Sequence, residues 1–416
     1  MIPKPHRLLP SLSRRNLLAI GAAGTLTAAC SSGPADAPKR VAVIGGGILG
    51  ASIAYHLAKL GAAVTVLERH EIATRASRGT FAWLNASWAK QPRHYHRFNQ
   101  LGLAGWQELE REIGIPIKWG GSIEWFDNSE RQLRLAEQIQ EQVEWGEPAR
   151  MAVREELQRL EPKVAFGDTP DAAISPNDGA LDPVLATQML LDEAVRRGAV
   201  IKTNCPVTGV RDVEGASVLE SAQGDLEVDA IVLATGADEE ATRALAGIAI
   251  PQRSTPGVIA ITEPLEPMLS HILVAPGVHI HQRLDGRIVL GEQDGAPKTE
   301  AHAARLEGRP NAFPSRELAL QHAGRILATA QRFVPDIAEA VIEDVHIGWR
   351  PLPLDGHPVL GFSPQQANAY VAISHSGVSL APIIGLLAAQ EIVEGVSIES
   401  LAPYRPGRSF EEVRRY

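Results

Sequence analysis

The sequence predicts an α/β fold built from two interleaved domains, and three observations carry this prediction. A strand–helix–strand pattern typical of a parallel sheet begins at Arg40. Residues 251–336 instead alternate between apolar and polar positions and contain a hairpin signal, which indicates an antiparallel sheet. A strand, a glycine-containing turn and a helix then return over residues 369–394. This order indicates two sheets of different kinds, each assembled from separate segments.

The parallel sheet is predicted most strongly at its first strand. Residues 41–44 form a short apolar run, and an amphipathic helix follows to about Leu60. A second β-branched run over residues 63–67 ends at Glu68. The turn after the first run carries glycines in the G-x-G-x-x-G spacing, namely Gly45, Gly47 and Gly50.

Each part of this unit has a task in binding a dinucleotide. Gly45 permits a tight strand-to-helix turn, Gly47 lets the backbone approach a pyrophosphate, and Gly50 allows the helix to pack closely on the strand. The helix N-terminus presents free N–H groups to the phosphates. Glu68 is placed to accept hydrogen bonds from a ribose diol. The unit therefore predicts dinucleotide binding, the alternative being a tight turn that binds no ligand.

Helical and strand-like patterns continue along the rest of the body. Asp182 and Pro183 mark a helix start, because an aspartate cap accepts the first free N–H groups and proline suits the first turn. Asp285-Gly286 is a two-residue turn signal that joins residues 279–284 to residues 287–290 in a hairpin. Helices are predicted at about residues 98–113, 129–144, 183–197 and 380–394. Strands are predicted near residues 117–126, 199–202, 207–213, 226–233 and 369–373.

These elements divide the body into a Rossmann-like domain and an antiparallel-sheet α+β domain, which is expected to hold the substrate. The Rossmann-like domain is predicted to be discontinuous and to comprise residues 39–114, 152–248 and 341–404. The α+β domain is predicted to comprise residues 115–151 and 249–340.

Charge and hydropathy restrict the partners of the body. The formal net charge of −9 argues against nucleic acid or an anionic membrane as its partner. No run of 18 apolar residues occurs after residue 40, so the sequence predicts no transmembrane helix in the body.

The first 38 residues resemble an export signal and a tether. Residues 13–18, with Arg14 and Arg15, resemble a twin-arginine motif, and residues 27–30 resemble a lipoprotein cleavage box that ends at Cys30. The sequence therefore predicts an exported protein, periplasmic or at the cell surface, with a lipid on Cys30 as its membrane anchor. The alternatives are a helical anchor or a cleaved signal without lipid. Removal of residues 1–29, which carry four cations and no acids, takes the net charge to −13.

Four motifs taken in order resemble the FAD-dependent D-amino acid oxidase superfamily over residues 40 to about 395, the group that includes glycine oxidase, sarcosine oxidase and D-amino acid dehydrogenase. The first is the glycine turn that leads to Glu68. The others are Asp178-Gly-Ala-Leu-Asp182-Pro183, the run 232–237 that contains Gly236, and Gly348-Trp-Arg350-Pro together with Ser374-His375-Ser376-Gly377-Val378. The resemblance implies FAD as the cofactor, in the Rossmann-like domain.

The resemblance assigns a role to each matching residue. It implies that the turn glycines contact the FAD pyrophosphate, Glu68 the adenosine ribose and the Val207 backbone the adenine. It places residues 76–80 near the ribityl chain and flavin ring, and the N–H groups of residues 377–378 at the flavin C2 carbonyl. The implied FAD-binding residues are Gly45, Gly47, Gly50, Glu68, Ser77, Arg78, Gly79, Thr80, Val207, Gly236, Gly377 and Val378.

Arg350 and His375 are the implied catalytic residues. Arg350 matches the arginine that grips a substrate carboxylate, which a planar guanidinium can do with two hydrogen bonds. A structural salt bridge is the alternative for Arg350. His375 is implied to lie beside the flavin, with a role in proton transfer or only a hydrogen bond to the backbone.

Further residues have less specific interpretations. His279 and His281 lie on one face of a strand and could line the substrate cavity, but no third ligand completes a metal site, so no metal is predicted. Residues 81–88 are expected to pack around the flavin loop, with Trp83 or Asn85 reaching the cavity as the alternative. Covalent members of the superfamily carry a cysteine or histidine at a defined place. The only cysteine of the body, Cys205, precedes the C-terminal third where the sarcosine oxidase type has it, so FAD is expected to be noncovalent.

The resulting expectation is an FAD-dependent enzyme that oxidises the C–N bond of an amino acid or secondary amine. A hydride would pass from the α-carbon to flavin N5, and oxygen or a quinone would reoxidise the flavin. Oxidation of the C–O bond of a 2-hydroxy acid is the nearest alternative, because Arg350 would serve either substrate. The sequence also leaves open an NAD-dependent dehydrogenase and a flavin-binding protein without turnover.

Overall fold

A computed structural model describes residues 37–413 apart from Ala89, Pro170, residues 294–299, residues 301–303 and Arg305. The twin-arginine motif and Cys30 lie outside the described residues. The described α-helices are α1 (Ile48–Lys59), α2 (Arg93–Ile113), α3 (Ser129–Glu144), α4 (Arg154–Leu160), α5 (Pro183–Arg196), α6 (Glu239–Ala246), α7 (Arg316–Gln331) and α8 (Gly377–Glu394).

The strands belong to two large sheets and three small ones. The first eleven are β1 (Arg40–Ile44), β2 (Ala63–Leu67), β3 (Trp83–Leu84), β4 (Ile117–Trp119), β5 (Ser122–Glu124), β6 (Arg150–Val153), β7 (Asp171–Ser175), β8 (Gly179–Leu181), β9 (Val200–Lys202), β10 (Val207–Val213) and β11 (Ala216–Ser221). The others are β12 (Leu226–Val228), β13 (Ala230–Leu233), β14 (Gln252–Arg253), β15 (Pro256–Pro264), β16 (Ile272–Ala275), β17 (Val278–Gln282), β18 (Arg287–Glu292), β19 (Ile342–Trp349), β20 (Leu352–Pro353), β21 (Val359–Phe362) and β22 (Ala369–Ile373).

A six-stranded sheet in the order β21-β22-β13-β1-β2-β9 forms the centre of one domain. Its strands are parallel except for β21, which runs antiparallel to β22. The α1 helix packs against α5 and α8, so a layer of helices covers one face of the sheet. The strand–helix–strand unit predicted from Arg40 onward is therefore confirmed.

The second domain is built on an eight-stranded sheet in the order β19-β15-β18-β17-β16-β5-β7-β6. The predicted hairpin is confirmed as β17 and β18, where Arg283 N–H donates to the Arg287 carbonyl and Gly286 adopts a φ of +88°. A large apolar core lies between this sheet and α7. The α/β fold with a Rossmann-like domain and an antiparallel-sheet domain is therefore confirmed.

The pairing of the strands shows that the chain passes from one domain to the other later than predicted, after residue 152 in one case and after residue 341 in the other. Both β7 and β19 pair with strands of the eight-stranded sheet, although the prediction assigns them to the Rossmann-like domain. Both strands are apolar on one side, and this pattern alone does not show which sheet a strand joins. The β19 strand therefore leads the chain out of the substrate domain shortly before Arg350.

Two helices show how the structure explains features of their sequences. The Asp182 carboxylate accepts hydrogen bonds from the N–H groups of Val184 and Leu185, so the predicted cap of α5 is confirmed. The α8 helix has the length and apolar composition of a membrane-spanning helix, but 67% of it is buried and it packs on α1 and α2. Its apolar residues are accounted for by the core that they form.

Candidate functional site

A large cavity lies where the ends of the parallel strands face the antiparallel sheet. Its volume is about 2570 Å³, more than twice that of a typical pocket for a small ligand. It therefore has room for a dinucleotide together with a substrate. The predicted site residues that line it are Gly45, Gly47, Glu68, Ser77, Gly79, Thr80, Val207, Gly236, Arg350, His375, Gly377 and Val378.

The glycine turn is packed as its spacing predicts. Gly45 has a φ of +114°, and a Cβ there would come within 2.4 Å of the Ala234 carbonyl oxygen. A Cβ on Gly50 would come within 1.9 Å of the Gly45 carbonyl oxygen. Gly50 therefore does not line the cavity, and its task is the close contact between α1 and the end of β1. Gly47 remains open to the cavity.

Ser77 and Glu68 organise the backbone around this turn. The Ile48 N–H in the first turn of α1 donates to Ser77 Oγ at 2.9 Å. Glu68 Oε2 accepts from Gly46 N–H at 2.7 Å, and its Oε1 accepts from His70 N–H at 2.9 Å. Each carboxylate oxygen retains a lone pair with which to accept from a ribose hydroxyl. The loop and the carboxylate are thus held ready for a nucleotide.

The loop of residues 76–80 touches the substrate domain through two glycines. A Cβ on Gly79 would come within 2.3 Å of Gly348 N, and a Cβ on Gly348 would come within 2.2 Å of the Gly79 carbonyl oxygen. The backbones of the two segments are therefore in direct contact, and there is room only for glycine on both sides. Arg78, between the buried Ser77 and Gly79, is exposed and does not line the cavity. The structure therefore does not bring its side chain to the predicted site.

The N-terminus of α8 forms the other end of the cofactor region. No side chain caps this helix, and its first residues line the cavity, so their N–H groups can donate to a bound group. Ser374 Oγ, just before the helix, is buried and has no hydrogen-bond partner among the described residues. The open glycine turn, the Glu68 carboxylate and this hydroxyl together fit FAD.

Arg350 directly follows β19 and lines the same cavity as the glycine turn. Its N–H donates to the Thr255 carbonyl at 2.9 Å, and Nη1 donates to the Pro256 carbonyl at 3.3 Å. A Cβ on Gly257 would come within 2.9 Å of Nη2, so the guanidinium lies directly over this glycine. The arrangement holds a flat cation against the cavity wall, where a carboxylate can meet it edge-on.

Two tryptophans line the cavity, and a buried carboxyl group holds each of them. Trp83 Nε1 donates to Asp178 Oδ2 at 2.9 Å, and Trp88 Nε1 donates to Glu124 Oε2. The two rings meet edge to face, with centroids 5.3 Å apart. Burial raises the pKa of Asp178 to about 6, while hydrogen bonds from Ser122 and Trp83 oppose the rise. Trp83 reaching the cavity, the alternative interpretation of its segment, is therefore what the structure shows.

Glu124 is a cavity residue that sequence reasoning missed. It is 5% exposed, and burial raises the pKa of its carboxyl group to about 8, partly opposed by the hydrogen bond from Trp88. Its neighbour Asp178 belongs to one of the four family motifs, but nothing in the local pattern marks Glu124. The tryptophan wall is thus backed by one acid that is mostly uncharged at neutral pH and one that is mostly ionised.

The histidines separate into two environments. His279 lines the cavity, with its ring 5.4 Å from the Phe81 ring. His281 does not line it. Its Nε2 lies 2.9 Å from the Phe81 carbonyl oxygen, and burial lowers its pKa to about 3. His375 is half-buried in the turn between β22 and α8 and lines the cavity. Among the described residues no group of His, Cys, Asp or Glu could hold a metal ion.

Comparison with known proteins gives matches over nearly the whole body. The family profile described as FAD dependent oxidoreductase matches residues 40–391. Glycine oxidase of Geobacillus kaustophilus is 26% identical over 389 residues, which cover 90% of this chain and 98% of that protein. A glycine oxidase of Bacillus licheniformis is 27% identical over 361 residues, which cover 84% of this chain and 92% of that protein. A component of the opine oxidase of Agrobacterium tumefaciens is 25% identical over 379 residues, which cover 88% of this chain and 96% of that protein.

Solved structures show the same likeness. The crystal structure of the Geobacillus kaustophilus glycine oxidase superposes with a TM-score of 0.77 at 25% identity, covering 90% of this chain and 100% of that one. L-proline dehydrogenase from P. horikoshii superposes with a TM-score of 0.75 at 22% identity, covering 88% of this chain and 96% of that one. The second likeness is one of fold.

Proposed function

The chain belongs to the family of FAD-dependent oxidoreductases, and from this premise we propose that it oxidises the C–N bond of an amino acid or of a secondary amine that bears a carboxylate. Relatives of the chain are named as oxidases of glycine and of opines. Bound FAD would supply the hydride acceptor, flavin N5. The resulting imine would hydrolyse in water.

The placement of Arg350 carries the proposal. Its guanidinium lies over Gly257 in the same cavity as the glycine turn and the first residues of α8. A carboxylate bound edge-on by two hydrogen bonds would have its α-carbon fixed in orientation, and orientation is a large part of the rate gain that a positioned reactant obtains.

The neighbouring side chains favour a substrate whose amine is uncharged. Trp83 and His279 present rings toward the cavity, with centroids 6.1 Å apart, and the acids beside them already have partners, Asp178 in Trp83 and Glu292 in Arg325 and His322. A neutral amine has the lone pair that assists departure of the hydride from the α-carbon. Within this pocket the chain binds, orients and excludes water, and no proton-transfer pair is required.

Substitution of Arg350 tests the proposal. Arg350→Ala is expected to lower kcat/KM for carboxylate substrates by roughly a hundredfold, because a charge-assisted bidentate contact is worth about 3 kcal/mol. Arg350→Lys should recover part of the binding but little of the orientation. The matched control is Arg196→Ala, an exposed arginine of α5 paired with Glu193.

The readout is a matched pair of substrates, an amino acid and the amine that lacks its carboxylate. The proposal expects Arg350→Ala to damage oxidation of the amino acid while sparing the amine. Equal damage to both would show that Arg350 holds the fold. A panel of amino acids and 2-hydroxy acids mixed without oxygen, followed by flavin absorbance near 450 nm, separates C–N from C–O oxidation. Bleaching by hydroxy acids alone would replace the proposal with its alternative.

Cellular location and the electron acceptor belong to the same proposal. We propose that the chain is exported through the motif containing Arg14 and Arg15 and anchored by a lipid on Cys30. Cys205 is free and buried, consistent with FAD that is held without a covalent bond. Oxygen or a quinone would accept the electrons.

A further inference from the structure

The α8 helix carries a proline, Pro382, in its second turn. A carbonyl in an α-helix accepts a hydrogen bond from the N–H four residues later. Proline has no N–H, so Pro382 leaves the Val378 carbonyl without its usual partner. Val378 is the second residue of α8 and lines the cavity at the cofactor end. The hydrogen bonding of the helix is therefore interrupted in the turn that faces the cofactor.

A tryptophan of another helix supplies the missing donor. Trp106 Nε1, on α2, donates to the Val378 carbonyl at 2.8 Å. The indole N–H is a donor only, and Trp106 is fully buried, so its one polar group is used in this contact. A side chain of α2 thus takes the place of a main-chain hydrogen bond of α8.

The α2 helix is in direct contact with α8 on both sides of this hydrogen bond. A Cβ on Gly102 would come within 2.3 Å of the Ser379 carbonyl oxygen, and a Cβ on Gly105 would come within 2.6 Å of Pro382 Cβ. Gly102 and Gly105 are four residues and one residue before Trp106, so Gly102 and Trp106 lie on the same face of α2. The close approach of the two helices is what brings the indole to the carbonyl.

The carbonyl held by Trp106 belongs to the peptide group between Val378 and Ser379. Because the peptide is planar and trans, its N–H points opposite to its C=O. The Ser379 N–H is the third of α8 and has no partner within the helix, so it is directed toward the helix N-terminus and the cofactor end of the cavity. A hydrogen bond to the carbonyl also polarises the same peptide group and strengthens its N–H as a donor.

The first turn of α8 is also held from the side of the flavin loop. Ser379 Oγ donates to the Trp83 carbonyl at 3.1 Å and accepts from Asn85 N–H at 3.2 Å. The side chain of Ser379 therefore fixes one side of the turn, and Trp106 fixes the other through the backbone. With both contacts made, the free N–H groups of the turn have one orientation.

We propose that Trp106 is a positioning residue for FAD, which acts by donating to the carbonyl that Pro382 leaves without a partner and so fixes the first turn of α8. None of the four family motifs contains Trp106. The N–H groups of a helix N-terminus favour negative charge, and reduction adds negative charge to the flavin, so these donors stabilise the reduced form more. Trp106 thus raises both the affinity for FAD and the reduction potential of the bound flavin, whichever substrate is oxidised.

Replacement of Trp106 by phenylalanine tests the proposal, because it keeps an aromatic ring and removes the donor. Titration of the apoprotein with FAD should give a Kd about fivefold higher than in the parent, the equivalent of one ordinary hydrogen bond. The midpoint potential of the bound flavin, measured by equilibration with a reference dye, should fall. Trp125→Phe is the matched control, since Trp125 is equally buried but lies in the core of the substrate domain. It should leave the Kd and the potential unchanged.

A second substitution separates the hydrogen bond from packing. Pro382→Ala, added to Trp106→Phe, gives residue 382 an N–H that can donate to the Val378 carbonyl as in an uninterrupted helix. The double variant should recover both the FAD affinity and the potential lost in Trp106→Phe. An N–H at residue 382 cannot replace the volume of an indole ring, so recovery would support the hydrogen bond as the cause.

Two results would overturn the proposal. One is a Trp106→Phe protein whose Kd and potential equal those of the parent. The other is a double variant as impaired as Trp106→Phe alone, which would show that Trp106 acts only by filling space. If Trp106→Phe does not fold, 3-benzothienylalanine at position 106 keeps the shape of tryptophan with sulfur in place of the N–H. An unchanged Kd and potential in that protein would equally overturn the proposal.

Discussion

Replacement of Glu124 by glutamine is expected to stabilise the protein above neutral pH. The carboxyl group is buried, with a pKa of about 8 in the folded chain against 4.5 for the ordinary side chain. The folded state therefore keeps a proton that the unfolded chain has already released. Glutamine has the same shape, its carbonyl oxygen can accept from Trp88 Nε1, and it has no proton to retain.

The magnitude follows from the linkage between protons and folding. Between pH 4.5 and about 8 the folded state holds one more proton than the unfolded state, so the free energy of unfolding falls by about 1.4 kcal/mol per pH unit. The loss reaches about 3 kcal/mol at pH 7 and about 5 kcal/mol above pH 8. Glu124→Gln removes this loss. Asp178, whose pKa is also raised, is present in both proteins, and its negative charge is one of the causes of the raised pKa of Glu124.

Thermal unfolding of both proteins without substrate, from about pH 5 to about pH 8.5, measures the effect. The two melting temperatures should be close at the acid end and separate as pH rises, with the variant higher. Glu137→Gln, on the exposed side of α3, is the control and should stay close to the parent throughout. Curves that run parallel, or a parent that melts higher at alkaline pH, would refute the reasoning.

The remaining predictions concern the cofactor and the export signal. Glu68→Arg should lower FAD affinity by about 1.5–3 kcal/mol, and full flavin occupancy after dilution would contradict this. Gly348→Ala should impair FAD retention, because its Cβ would come within 2.2 Å of a facing backbone oxygen; normal occupancy would show that the loop can shift. Acid precipitation should release the flavin, whereas colour in the pellet would indicate a covalent bond. Changing Arg14 and Arg15 to lysine should retain the protein in the cytoplasm, and Cys30→Ala should free it from membranes; unchanged fractionation would oppose each assignment.

Local signals in the sequence sufficed for much of the fold. The helix at residues 129–144 and the strand at residues 207–213 begin and end where the pattern predicts. The predicted strand over residues 226–233 is wrong in one respect, because it divides at Asp229 into two strands of different sheets. Asp229 N–H donates to the Arg40 carbonyl, and its carboxylate accepts from the Arg40 guanidinium. An apolar run does not reveal a partner so distant along the chain.

The sequence likewise predicts some residues of the candidate site but not others. The glycines and Arg350 belong to motifs, so the sequence could point to them. Ser122 and Glu124 alternate with Ile123, a pattern typical of a strand with one solvated face. In the structure both polar residues are buried, because Trp83, Trp88 and Asp178 cover them from other segments. Burial by a distant loop leaves no local periodicity.

The contact between Gly79 and Gly348 has a consequence for how the substrate range of this fold can change. Gly348 lies two residues before Arg350, and Gly79 belongs to the loop that lines the cofactor region. Because the contact is between backbones, the spacing from the cofactor region to the proposed carboxylate clamp, Arg350, does not depend on the side chains elsewhere in the cavity. Cavity residues such as His279 and Trp88 lie outside this contact and can therefore be replaced without changing that spacing. The substrate specificity of such an enzyme can therefore change in evolution while this spacing stays the same.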